Sequence, residues 1–431
     1  MKVILINNTF GDFGGGDGKV TYDTGKLLRE KGFEVFFFSS TKKPYYEENY
    51  EYSPFFPKEF KKFQMINPIR IFYNFEAEEK LSRLIQRIKP DIVHINNIQY
   101  NLTPSVLVSC KKNKIPVVMT FHDSHCVCPT ATLIKGKSGY CKNRECRSGN
   151  ILSCIINKCF SSSFLKSCIA GFEFLFRKKM NFYGIPDAFI CPSNYVYDIA
   201  LKSGIKKGKL FVVTNFVNRE YLDIQPSYTN QNYFLYVGRL VKEKGLDYLL
   251  QAFKDLPEMK LKIVGDGNYK NNLEKLAKDL NLLNVEFLGF KNGIELENEY
   301  KNAKAIFLPS ICSENSPLTI LESFAWGKPV IASDIGGIPE IVINNYNGFT
   351  VPHSNSTEIT KAVHKLHGNK ELALSMGINA RKTLEEKYNS EIYFKKLENV
   401  YYCVLNNYSN CEIKTDFPEK TNVEYKSLVN Q

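Results

Sequence analysis

Two doubly wound α/β domains facing one cleft are the fold this sequence predicts, and three observations carry the prediction. At 431 residues the chain is too long for one ordinary core, and two domains of about 200 residues each are the expectation. Short apolar runs of strand length alternate with helical patterns in both halves, an order that builds parallel sheets. A polar stretch at residues 224–232, containing Pro226, separates the two series as a linker.

Residues 3–6 read as a buried strand and residues 9–18 as a loop carrying Gly11, Gly14, Gly15, Gly16 and Gly18. A helix over 19–31, closed by Gly32, and a strand over 33–38 complete a βαβ unit. The loop lacks the G-x-G-x-x-G spacing, and a P-loop would need glycine at Phe13 and a hydroxyl at Val20. Its glycines still permit close approach of backbone to an anion. Residues 41–68, rich in Tyr, Phe and Lys, read as a variable segment facing an acceptor. An amphipathic helix over 74–88 stops at Lys89-Pro90, and a helix over 103–111 separates strands 92–95 and 117–121. His122 and Asp123 then fall at the C-terminal end of a strand, the edge where parallel sheets gather ligands.

Residues 125–168 read as an insertion with seven cysteines. Cys126, Cys128, Cys141, Cys146, Cys154 and Cys159 are candidate ligands of a structural metal, although their spacing is not the C-x2-C of a zinc ribbon; free thiols are the alternative. The segment 164–183 combines an aromatic face with Lys166, Arg177, Lys178 and Lys179. It fits an interfacial helix on anionic lipid or a plain core helix equally. Strands at 188–191 and 210–213 lead to Asn215, where the first domain, 1–215, ends.

The second domain, 216–388, opens with a strand at 233–237 that ends on Gly238 and Arg239. Lys244-Gly245 then starts a helix over 246–256, so a planar cation and a point cation flank one strand end, a clamp for phosphate. Further strand ends fall at 263–267 and 285–289. The most informative stretch follows the strand 305–308. Ser316 as N-cap and Pro317 at the first helical position start a helix that Gly327 closes. Free amides and the positive dipole end then point at one anion seat, with Glu314 before it and Glu322 about five residues inside, roughly 7–8 Å further along. Carboxylate, anion seat and second carboxylate match the sugar, diphosphate and ribose of a nucleotide sugar. A strand over 330–333 follows, then a hairpin-like turn at 347–349, and helices over 357–367, 370–387 and 390–405. Residues 408–431 are polar and unpatterned, as expected of a disordered tail.

Glu314 and Glu322, with seven residues between them, resemble the E-x7-E signature of retaining GT-B glycosyltransferases of family 4. The resemblance extends over the chain to about residue 405. Gly15-Gly16 followed by Lys19-Val20 is similar to the family's N-terminal glycine loop, which lies against the donor diphosphate; Asp17-Gly18 departs from it. Gly238-Arg239-Leu240 with Lys244-Gly245 resembles the donor-phosphate motif, and His122-Asp123 the pair whose histidine approaches the donor sugar. Of the boundary motif, Asn215 and Val217 carry over. The resemblance implies catalytic roles for His122, Arg239, Lys244 and Glu314. It implies donor contacts for Gly15, Gly16, Asn215, Gly238, Asn315, Pro317, Leu318, Thr319 and Glu322. It also implies a last helix, 389–407, that crosses back to the first domain, and front-face attack without a protein nucleophile.

The reading is therefore a metal-independent retaining glycosyltransferase that moves a sugar from a nucleotide-sugar donor, a UDP-sugar being expected. Its acceptor would be a saccharide or polyprenyl-linked saccharide of cell-surface glycan assembly. No D-x-D occurs, which counts against a metal-dependent site, and no cofactor is expected in catalysis. A net charge of +12 suits an anionic partner, phosphorylated substrate or membrane surface; without an arginine-rich run, nucleic acid ranks last. No apolar stretch reaches membrane-spanning length and no leader precedes the first strand, so a cytoplasmic protein, peripheral at the inner membrane face, is expected. A sugar-nucleotide epimerase of the same fold and a non-catalytic sugar-binding protein are the rivals. Acceptor-dependent release of nucleoside diphosphate separates the first rival. The four retained charged residues, Arg239, Lys244, Glu314 and Glu322, speak against the second.

Overall fold

A computed structural model describes residues 1–10, 15–41, 50–52, 68–136, 139–141, 145–228 and 233–406. Most of the segment 41–68 and the tail 408–431 lie outside the described residues. The first sheet has seven parallel strands in the order β3-β2-β1-β4-β5-β6-β7. They are β1 Lys2–Ile6, β2 Glu34–Ser39, β3 Tyr50–Tyr52, β4 Ile92–Ile95, β5 Val117–Thr120, β6 Ala188–Cys191 and β7 Leu210–Val212. The second sheet has six, in the order β10-β9-β8-β11-β12-β13, again all parallel. These are β8 Tyr233–Val237, β9 Leu261–Val264, β10 Val285–Gly289, β11 Ala303–Leu308, β12 Val330–Ser333 and β13 Gly348–Val351. Every residue of β4, β5, β6 and β12 is buried, because helices cover both faces of each sheet. Strand order reverses between β1 and β4 and again between β8 and β11. Ligands of such sheets bind in the crevice beyond the strand ends at those reversals.

Three local readings are corrected. Gly15 and Gly16 stand in the first turn of a helix, Gly15–Glu30, rather than in a loop. The tight position is Gly18, where a Cβ would lie 2.9 Å from the Thr9 carbonyl; Gly16 has open space above it. Residues 347–349 do not turn a hairpin but lead into β13, the parallel edge strand beside β12. A Cβ on Gly348 would stand 2.2 Å from the Val330 carbonyl, so the glycine serves strand pairing. The helix after β11 also starts without the expected serine cap.

Contacts between the two layers combine an apolar cluster with polar and aromatic groups. The last helix, Ser390–Leu405, packs on the first sheet, where Tyr393, Leu397, Val400 and Tyr401 share a buried cluster with Val3, Leu5 and Val118. Tyr393 stacks on Phe216 with ring centroids 4.1 Å apart. Tyr401 also meets the buried His94 of β4, its hydroxyl 2.8 Å from Nδ1, while Nε2 contacts the Thr120 hydroxyl at 2.7 Å. On the other side, Glu340 accepts from the Asn194 and Tyr195 amides at 2.8 Å each, satisfying the N-terminus of the helix Asn194–Lys202.

Candidate active site

The reversal between β8 and β11 gathers the charged residues. After β8 come Gly238 and Arg239, then a turn carrying Lys244 and Gly245. Gly245 has φ +69°, and a Cβ there would lie 2.1 Å from the Pro309 carbonyl, so only glycine lets this turn press on the segment after β11. The Ile311 amide donates to Glu243 O at 2.9 Å and fastens the two together. Lys244 Nζ consequently reaches Glu314 Oε1 at 2.5 Å, and the Ser310 hydroxyl donates to the same oxygen at 2.7 Å. Burial opposes ionisation of Glu314, but Lys244 first, then Ser310 and Arg239, hold its carboxyl below the usual carboxylate range. Against its own burial, Lys244 is raised by Glu314, so the pair is charged. Arg239 is exposed at the mouth.

The Glu314 backbone is gripped from the far side. Its carbonyl accepts from the Gly337 amide at 2.6 Å. A Cβ on Gly336, at φ +67°, would stand 2.2 Å from that carbonyl, and one on Gly337 would stand 2.0 Å from Asn315 O. The helix that follows, Leu318–Ala325, is capped by Pro317 in an extended conformation, not by the Ser316 hydroxyl. Asn215, from the end of the first layer, donates to the Ser316 carbonyl at 2.7 Å and fixes that peptide. The Ser313 and Ser316 hydroxyls are buried without a hydrogen-bond partner among the described residues, and the Leu318 and Thr319 amides make no hydrogen bond there either. Unmet donors at a helix N-terminus form a seat for an anion.

One turn inside that helix, Glu322 is held by groups from elsewhere. Lys19 Nζ, on the helix Gly15–Glu30, lies 2.5 Å from Oε1 and also donates to the Tyr221 hydroxyl at 2.8 Å. Tyr221 approaches the same carboxylate oxygen at 3.4 Å, and the Tyr300 hydroxyl donates to Oε2 at 3.1 Å. Burial would raise the Glu322 carboxyl, but Lys19 and the two phenols bring it below the usual range. Arg381 Nη1 donates to the Tyr221 and Ala325 carbonyls at 3.2 and 2.8 Å, which fixes Tyr221 over the helix. Lys19 is one helical turn beyond the glycines, a signal that could have singled it out; nothing local marks Tyr221 or Tyr300.

One strand along from the reversal of the first sheet, His122 and Asp123 lie just beyond β5. His122 Nε2 donates to Asn96 Oδ1 at 2.7 Å, and burial lowers the imidazole pKa although Asp17 and Asp123 oppose it. A neutral ring is the result, and Nδ1 has no hydrogen-bond partner among the described residues. Asp123 accepts from Gln99 Nε2 at 2.8 and 2.9 Å and meets His125 Nδ1 at 3.1 Å. Burial alone would raise Asp123; His125 and Gln99 outweigh it and bring the carboxyl to about 2. A cavity of about 30 Å³ lies behind this pair, lined partly by Glu173, Arg177 and Tyr183.

The candidate metal ligands are not brought together as one set. Cys126 is buried in the first-layer core and its thiol is pushed up to about 12 by burial, while Cys128 faces the Thr130 hydroxyl at 3.4 Å. Cys146, Cys154 and Cys159 form a row, Cys154 hydrogen-bonding with both neighbours. The Cys141 amide donates to the Leu133 carbonyl at 2.7 Å. Among the described residues no group of three or more His, Cys, Asp or Glu side chains is arranged to hold a metal ion. The spacing did not reveal that Cys126 turns into the first-layer core while Cys146 and Cys154 sit on separate short helices, Glu145–Ser148 and Leu152–Ile156. The insertion also lines a cleft: with Thr130, Tyr140 and Phe160 it faces Lys242, Tyr248 and Tyr269 of the second layer across about 870 Å³.

Comparison with known proteins accords with this geometry. The family model Glycosyl transferases group 1 matches residues 217–383, and the model Glycosyltransferase Family 4 matches residues 14–156. The chain belongs to glycosyltransferase family 4. It is 33% identical over 215 residues to an uncharacterized glycosyltransferase of Methanocaldococcus jannaschii, covering 50% of this chain and 59% of the relative. It is 27% identical over 208 residues to the capsular polysaccharide biosynthesis glycosyltransferase CapM of Staphylococcus aureus, 47% of this chain and 53% of CapM. The chain thus spans little more than half the length of these curated relatives. Among solved structures, Anabaena HepE in complex with UDP-glucose superposes with a TM-score of 0.68 at 16% identity, over 93% of this chain and 100% of that one. That likeness establishes the shared GT-B fold.

Proposed function

We propose that the chain is a retaining glycosyltransferase that takes a sugar from a nucleotide-sugar donor, with UDP-sugar the expected class. The observation that carries this reading is the order Glu314, anion seat, Glu322 along one helix start. Glu314 would hold the transferred sugar and Glu322 the ribose. Arg239, Lys244 and the amides of Leu318 and Thr319 would neutralise the departing diphosphate, so stabilisation of the leaving group is electrostatic and needs no divalent ion. His122, neutral and with Nδ1 unpartnered among the described residues, would accept from a hydroxyl of the donor sugar. The UDP-glucose complex of HepE supports the donor class.

The acceptor proposed is a saccharide carried on lipid. Leu165, Phe172 and Met180 are exposed on the helix Phe164–Lys179 and its end, with Lys166 and Lys179 exposed beside them. Leu152, Ile156 and Phe164 add exposed apolar surface close by in the chain. Such a face suits an anionic membrane surface. No described helix is long and apolar enough to cross a membrane. Donor binding is tested by thermal unfolding against UDP-, GDP- and ADP-sugars in the presence of a chelator. A Tm rise with one of them is expected, because a ligand of the folded state stabilises by RT ln(1 + [L]/Kd). No shift with any would remove the reading. Diphosphate release that does not depend on an acceptor would favour the epimerase instead.

A further inference from the structure

We infer that Lys19 is an exchangeable ligand: it closes the ribose-binding carboxylate of Glu322 when the donor is absent, and transfers its ammonium to the donor diphosphate when the ribose arrives. The inference rests on the reading of Glu322 as the ribose ligand and adds a residue of the opposite layer to the donor site. In the structure Oε1 of Glu322 is taken by Lys19 at 2.5 Å and approached by Tyr221, and Oε2 is taken by Tyr300. A ribose diol needs both oxygens as acceptors. The tyrosine hydroxyls can rotate and offer lone pairs to the incoming hydroxyls; an ammonium can only donate, so it competes with the diol for Oε1 and gives way to it.

The destination follows from charge and reach. A buried carboxylate left without a partner is strongly unfavourable, which is why Lys19 occupies it in the empty site. Once the diol supplies donors to Glu322, Lys19 is the group left unpaired. The anion seat at Leu318 and Thr319 lies four residues back along the same helix, about 6 Å at 1.5 Å per residue. A lysine carries its charge on a flexible four-carbon stem, so a rotamer change spans that distance. The Lys19 side chain retains 39% exposure and therefore has room to move, whereas that of Glu322 retains 15%. Each charge stays paired before and after the exchange, and the first layer becomes bonded to the donor through the helix Gly15–Glu30.

The test compares a nucleoside with its diphosphate by calorimetry, using whichever of UDP, GDP or ADP binds wild type most tightly. Lys19→Met should bind the nucleoside several-fold more tightly, since the competitor for Glu322 is gone. It should bind the diphosphate more weakly, on the order of ten- to hundredfold, since a charged hydrogen bond is lost. Lys19→Gln removes the charge while keeping a polar group near Tyr221, and serves if the first variant folds poorly. A merely structural bridge would move both affinities in the same direction, and an unchanged ratio of the two overturns the exchange. Glu322→Gln is measured alongside. If that variant binds the nucleoside as wild type does, the ribose reading of Glu322 fails, while the ratio in the Lys19 variants still decides whether the ammonium reaches the diphosphate. Failure of all three diphosphates to bind wild type overturns both.

Discussion

Replacing Glu314 with glutamine separates chemistry from nucleotide binding. In the structure one carboxylate oxygen holds Lys244 at 2.5 Å and Ser310 at 2.7 Å, and glutamine keeps the shape and an acceptor oxygen while losing the charge. Positive charge grows on the sugar as its bond to phosphate breaks, so the carboxylate is worth more in the transition state than in the ground state. Losing one such preorganised group costs about 3–4 kcal/mol, a fall in kcat on the order of 10²–10³-fold. Lys244, no longer paired with a carboxylate, should hold the diphosphate at least as tightly as before. Single-turnover kinetics with donor and acceptor give the first quantity, and calorimetric titration with nucleoside diphosphate the second. Thermal unfolding without ligand checks that the variant is folded. Wild-type turnover in Glu314→Gln would refute the catalytic role. A matching loss of diphosphate affinity would show that Glu314 acts through Lys244 rather than on the sugar.

His94 sets an acid limit on stability: burial, with His122 adding, lowers its pKa from 6.5 to about 3. The unfolded chain then takes up a proton that the folded chain refuses, so this contribution is present above pH 6.5 and is lost as pH falls from there toward 3. Urea unfolding of wild type should lose up to about 1.4 kcal/mol per pH unit in that window, and His94→Gln should lose less. Cys159 should be the fastest cysteine to alkylate, with a midpoint near pH 7, because its hydrogen bond with Cys154 outweighs burial and brings the thiol to about 7; peptide mapping after brief iodoacetamide treatment checks the site. Gly337→Ala should lower stability by about 1–3 kcal/mol, since its Cβ would meet Asn315 O at 2.0 Å and Ser193 at 2.9 Å, and a wild-type Tm would contradict the packing. Vesicles containing anionic lipid should sediment the protein at low salt and release it at high salt, and Phe172→Ser with Lys179→Glu should abolish the effect.

Much of the fold was legible because its signals are local. The alternation of apolar runs with helical periods determines two parallel sheets, since continuous apolar strands need cover on both faces, and this requirement is written in consecutive residues. The spacing of Glu314 and Glu322 likewise fixes one carboxylate before the helix Leu318–Ala325 and one a turn inside it, whatever surrounds them. Cap chemistry was less legible. Ser316 has the residue type of an N-cap, yet a side chain about a hundred residues away, Asn215, claims its carbonyl. The edge strand β13 was hidden because Asn347-Gly348 has turn composition, while the need for glycine comes from Val330 across the sheet. Only the tertiary structure decided what faces each carboxylate. Lys19 and Glu322 are separated by 303 positions and Lys244 and Glu314 by 70. Helical and strand periods relate neighbours a few residues apart, so no pattern in the chain could bring Lys19, Tyr221 and Tyr300 to one oxygen pair; the closure of two layers over one cleft did.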